Sequence, residues 1–215
     1  MPDSIERCLE TAWTGLSRLA FGQIEIRKIN GAFLLTHRDD EGRDDLQVFP
    51  TPEDAIEIAR YDDAGNYRPL KTAPNLRHGW RLEVDDLSGL RRALDYFYPG
   101  RLGVFAAWRG DRLPATPLRR TLDRQSGMYR IAANISDDQI DRVVASFCRS
   151  NGGCSRTILW KRDDSGTMAS TKLPSEKFDP GRDQVPLLCQ EACNLLVAEC
   201  RKVVTADRDV SPKRP

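Results

Sequence analysis

Histidine is almost missing from this chain, with two in 215 residues. His37 and His78 are far apart in sequence, and neither joins a Ser/His/Asp or Cys/His catalytic set. Both are expected as surface or capping residues, and the chain is not expected to be an enzyme. Long apolar runs are missing as well. None approaches the ~18–20 residues of a membrane-spanning helix, so no membrane segment is expected. The first residues, MPDSIERCLETAW, carry acids where a signal peptide has an apolar stretch, so a cytoplasmic location is expected. Charge of one sign is missing too: 33 Lys and Arg stand against 32 Asp and Glu, a net charge of +1. Without a basic excess or stripe, the composition argues against an electrostatic nucleic-acid binder. Gly152-Gly153 lacks the Lys-Ser/Thr of a phosphate loop. The acidic run from Asp39 to Asp45 lacks the calcium-loop pattern and reads as a solvated tip. There is no internal repeat and no low-complexity tract.

What is there describes a polar globular chain, 40% hydrophobic and 30% charged, long enough to bury a core. The fold class expected is α+β in two small subdomains. Residues 4–20 place Cys8 on an apolar helical stripe, where it reads as core. QIEIRKING and AFLLTHRDDE form a hairpin turning at Asn30-Gly31, the strongest short hairpin signal. DDLQVF and WRLEV read as strands. Thr51-Pro52 opens a helix through Arg60, and Asp86 caps a helix that Pro99-Gly100 ends. The Pro- and Arg-rich stretch 110–121 reads as the seam between subdomains. Beyond it, MYRIAANI (128–135) reads as a strand, and Ser136 to Gln139 is a capping box. That box opens a helix with Ile140, Val143, Val144 and Phe147 on one face. Residues 154–162 read as a strand and 163–186 as a long loop. Pro186 is expected to start a last helix, and the domains expected are 1–117, 118–203 and a disordered tail, 204–215.

The cysteines carry the chemistry. Five of the six lie in the last third, as Cys148-x5-Cys154 and Cys189-x3-Cys193-x6-Cys200. On a helix, Cys189 and Cys193 share one face, whereas Cys200 lies about 10.5 Å of rise beyond Cys193. Cys148 and Cys154 flank Ser150-Asn151-Gly152-Gly153, whose glycines let the backbone wrap closely around a bulky group. Two pairs make a four-thiolate pocket: Cys148, Cys154, Cys189 and Cys193. Such a set suits tetrahedral zinc or an iron–sulfur cluster. Buried thiols without metal are the third reading. The spacing is wider than the usual zinc knuckle, and a nearby helix N-terminus favours an anionic cluster. Arg149 and Arg156 flank the first pair and offset that charge. Trp160 is expected in the core, shielding the cluster. Arg119, Arg120, Arg124 and Arg130 are expected to be paired with acids or to face an anionic partner.

The stretch Arg124-Gln125-Ser126-Gly127-Met128-Tyr129-Arg130, the capped helix ending in Cys148, the Cys154…Leu159-Trp160 strand and Cys189-Gln190-Glu191-Ala192-Cys193 resemble a bacterial domain family. It is the 4Fe-4S iron–sulfur domain fused to the C-terminus of some sirohydrochlorin cobaltochelatases. In that family a small stabilising domain precedes it, which residues 1–117 resemble in order and length. The resemblance implies a [4Fe–4S] cluster on Cys148, Cys154, Cys189 and Cys193. It further implies electron transfer or a redox accessory role, with a separate tetrapyrrole chelatase or a redox protein as partner. The chelatase domain, whose histidines bind and deliver metal, has no counterpart in the 215 residues. The alternative is a non-redox binding module with a structural four-cysteine zinc site. An enzyme using the cluster as a Lewis acid is disfavoured, because four cysteine ligands leave no open iron.

Overall fold

The computed structural model describes residues 5–62, 64–67, 76–148, 154, 157–164 and 183–210. The chain divides into two units, Met1–Leu113 with Phe178–Leu188, and Pro114–Lys177 with Cys189–Pro215.

The first unit is built on a mixed sheet. Strands β1 (Arg18–Phe21), β2 (Ile24–Ile29) and β3 (Ala32–His37) form an antiparallel meander. Its second turn is Asn30-Gly31, with φ of 50° and 92°, the left-handed pair that lets a two-residue hairpin follow strand twist. Strand β5 (Trp80–Val84) pairs antiparallel with β3, and β4 (Gln47–Phe49) lies parallel to β5. On the other edge β7 (Gln184–Val185) runs parallel to β1, so the order is β4-β5-β3-β2-β1-β7. Phe21, Ile24, Ile26, Leu35 and Leu82 are buried in the core. With them lie Leu90, Leu94 and Phe97 of α3 (Leu87–Phe97), which Asp86 caps by accepting from the Gly89 N–H at 2.7 Å. Helices α1 (Ile5–Ala12) and α4 (Arg101–Arg109) pack on α3 and on each other. The helix expected after Thr51 is shorter than its pattern suggested: a 3₁₀ turn, Pro52–Asp54, then one α-turn, α2 (Ala55–Ile58). Buried Glu25 is satisfied by Arg18 and Arg27.

The second unit is mostly helical. Helix α5 (Leu118–Asp123) leads to residues Gly127–Asn134, which are 3₁₀ helix and correct the strand expected over 128–135. A half-buried strand would hide alternate side chains, but only Ala132 is buried here, and Met128 and Tyr129 are exposed. The Met128 carbonyl is taken by the Arg201 Nε–H at 3.1 Å, and Arg201 covers the Tyr129 ring. Helix α6 (Asp137–Val143) starts at the expected capping box, with Ser136 N–H donating to Gln139 and Gln139 N–H to Ser136 Oγ. It continues as a π-helical turn, Val144–Cys148. Strands β6 (Thr157–Ile158) and β8 (Leu188–Cys189) pair in a small second sheet. Helix α7 (Asn194–Val210) ends the described chain and runs through residues 204–210, where a disordered tail was expected. Leu118, Leu122, Ile140, Val144, Trp160, Leu196 and Val197 form one buried cluster. Among the described residues no helix is long and apolar enough to cross a membrane.

Candidate metal centre

Helix α7 begins at Asn194, not at Pro186, so Cys189 and Cys193 are not an i, i+4 pair on one helix. The backbone between them is used otherwise. The Cys189 carbonyl accepts from the Leu159 N–H at 2.9 Å, and the Gln190 carbonyl accepts from the Thr116 N–H at 2.9 Å. Those sheet-like bonds hold 188–190 extended. Cys193 then caps α7, its carbonyl accepting from the Val197 N–H at 3.1 Å. The pair therefore spans a strand end and a helix N-terminus, where the helix dipole favours negative charge on sulfur.

Cys148 closes the π-helical turn. Such turns widen the helix by one residue and re-aim the side chains that follow. The Cys154 N–H returns to the Phe147 carbonyl at 3.4 Å, folding the second cysteine of the pair back against the turn. Ser150 to Gly153, Arg149 and Arg156 lie outside the described residues. All six cysteines are thiols.

The thiols converge. Burial is the first cause that pushes Cys148 up to about 12, and the charges of Cys154, Cys189, Cys193 and Cys200 act in the same direction. Cys189 and Cys200 lie in one buried cluster, and Cys148 and Cys193 pack against it. Cys200, set apart by helical rise in the sequence, also lies near Cys148; it is 1% exposed and packed in the core. Burial pushes its thiol up to about 11, against the pull of the Arg119 guanidinium. Among the described residues, no three of the cysteine sulfurs lie within 4.8 Å of one another.

Cys189 sulfur has two polar neighbours. Trp160, fully buried, donates its Nε1–H to Cys189 Sγ at 3.3 Å, a contact sequence reasoning did not specify. Cys189 Sγ in turn donates to the Glu191 carbonyl at 3.2 Å. A buried indole N–H needs a partner, and here the partner is the expected ligand. The basic stretch is ion-paired in this unit: Arg119 with Asp137 at 2.7 Å, Arg120 with Asp164 at 3.5 Å, and Arg124 with Glu191 at 2.5 Å. Glu191 sits between Cys189 and Cys193 in sequence, so Arg124 ties helix α5 to the ligand loop. Arg162 adds pairs to Asp137 and Asp141. Set together, the residues offer four thiols, one N–H donor and a helix N-terminus, which fit a four-iron cluster.

Comparison with known proteins agrees with that chemistry. Residues 9–108 match the model of the DR2241 stabilising domain, and residues 110–202 match the 4Fe-4S iron-sulfur cluster binding domain. No curated protein matches the chain. Among solved structures it is similar to DR2241 from Deinococcus radiodurans, with 30% identity and a TM-score of 0.73. That protein is described as multi-domain, with structural similarity to chelatases and two additional novel domains. The match covers 94% of this chain and 42% of that one.

Proposed function

We propose that Cys148, Cys154, Cys189 and Cys193 each ligate one iron of a [4Fe–4S] cluster that serves redox chemistry; residues 9–108 match the DR2241 stabilising domain and residues 110–202 the 4Fe-4S iron-sulfur cluster binding domain. What supports the reading is the buried cluster at which Cys148, Cys189 and Cys193 meet, with the Trp160 N–H directed at Cys189 sulfur. When bound, such a cluster supplies one-electron transfer.

The chain's own groups set the conditions. Trp160 fills the space beside Cys189, excludes water from that sulfur and donates a hydrogen bond that stabilises added negative charge. Cys193 places its sulfur at the positive end of a 17-residue helix. Cys148 and Cys200, pushed up by burial, are protonated thiols before loading, so cluster assembly must release the Cys148 proton. Cys200 acts as core. A partner role is part of the proposal: a redox accessory, in the cytoplasm, to a tetrapyrrole chelatase. The support is the neighbouring structure, which is described as similar to chelatases and extends well beyond the matched part.

The test is anaerobic purification followed by iron, sulfide and zinc analysis. The proposal expects about four iron and four sulfide per chain and a broad visible band, as four-cysteine ligation implies. One zinc per chain and no iron would establish the structural zinc site instead.

A further inference from the structure

The two histidines of the chain meet. His37, at the end of β3, and His78, just before β5, lie with ring centroids 3.9 Å apart and planes at 57°. The cause is the sheet: β3 and β5 pair antiparallel through Thr36 and Arg81, which brings the last residue of one strand beside the approach to the other. One ligating atom from each of His37, Asp39 and His78 lies within 4.8 Å of the others. We propose that His37, Asp39 and His78 form a binding site for a late first-row divalent cation, separate from the cysteine cluster and independent of its assignment. Two imidazoles and one carboxylate select zinc, cobalt or nickel over magnesium or calcium.

The surroundings are built for it. A metal-bound histidine usually donates its second ring N–H to a carboxylate, which fixes the tautomer. His78 Nδ1 lies 3.5 Å from Asp40 Oδ1, and Asp40 is 2% exposed. Asp40 is itself held by the Gly79 N–H at 2.7 Å and by Arg43 at 2.9 Å. His37 Nδ1 faces Asp39, accepting from its backbone N–H at 3.2 Å and lying 3.8 Å from its carboxylate. The lone pair that accepts there is the one a cation takes, so binding trades one backbone hydrogen bond for a coordinate bond. Arg43 is ion-paired with both Asp40 and Asp45, so its charge is taken up beside the site. Three protein ligands leave a coordination position open to water.

The experiment titrates Zn2+ into untagged, cluster-loaded protein by calorimetry, and follows imidazole nitrogen resonances, which come from only these two histidines. One zinc per chain is expected, with both imidazoles shifting together. His78→Gln and Asp39→Asn are each expected to weaken binding about tenfold or more. Asp39 is exposed, so its variant tests the site even where a His37 substitution in the core fails to fold. No binding, binding with unmoved imidazole resonances, or equal affinity in both variants and the parent chain would overturn the proposal.

Discussion

Replacing Trp160 with 3-benzothienylalanine removes one hydrogen bond and almost nothing else. The analogue keeps the bicyclic shape but carries sulfur where the indole has N–H. In the wild-type chain that N–H reaches Cys189 Sγ at 3.3 Å from a fully buried ring. A hydrogen bond to a charged acceptor is worth ~1.5–3 kcal/mol. One-electron reduction takes a four-thiolate cluster from a charge of about −2 to about −3, so about a third of the bond's strength in the reduced state, ~0.5–1 kcal/mol, comes with the added electron. At 59 mV per 1.4 kcal/mol for one electron, the midpoint potential falls by ~20–40 mV. The sign follows because the reduced state loses more stabilisation than the oxidised one. Voltammetry of the anaerobic protein reads the shift, and iron analysis confirms that all four irons remain. Unchanged or raised potential at full iron content would refute the assignment of Cys189 as a ligand hydrogen-bonded by Trp160. Trp160→Phe is a cruder variant, since the cavity it leaves costs stability and admits water.

The other expectations concern ligation, pH and packing. Serine at Cys148, Cys154, Cys189 or Cys193 is expected to lose or degrade the cluster, whereas Cys8→Ser and Cys200→Ala retain four irons per chain by colorimetric assay; cluster loss in Cys200→Ala with retention in Cys154→Ser would reassign the fourth ligand. Apo protein should lose stability as pH rises from about 9 to about 12, because the thiols of Cys148 and Cys200 have folded pKa values raised to about 12 and about 11 and the unfolded chain then binds fewer protons; melting temperature against pH reads the slope, and Cys148→Ala should flatten it. Limited proteolysis of apo protein should cut first between residue 148 and the C-terminus, while holo protein resists there, because metal ligation supplies folding free energy; equal protection would make the cluster a passenger. Gly22→Ala should cost ~1–3 kcal/mol in urea unfolding, since Gly22 has φ +61° and an added Cβ would stand 2.8 Å from Leu187 and 2.9 Å from Tyr98.

What the sequence made legible was local. Asn30-Gly31 and the caps at Asp86 and Ser136 act within four residues, so their chemistry alone specifies them. The cysteine groups were visible by composition, because so few residue types bind iron. What was hidden depended on distant partners. Pro186 reads as a helix start until the Leu159 N–H claims the Cys189 carbonyl, which turns an expected helical pair into a strand end and a cap. The apolar alternation of 128–135 reads as a strand, but no strand pairs with it among the described residues, and packing on α7 takes it into a 3₁₀ helix. The meeting of His37 and His78 needs the β3–β5 register, which no local pattern carries.

Mössbauer spectroscopy of 57Fe-labelled, anaerobically purified protein tests the central claim most directly. The account predicts about four iron per chain in a single delocalised [4Fe–4S]2+ spectrum, lost when Cys148, Cys154, Cys189 or Cys193 is replaced. An iron-free chain holding one zinc, or a four-iron spectrum that persists after Cys189→Ser and Cys193→Ser together, would contradict it.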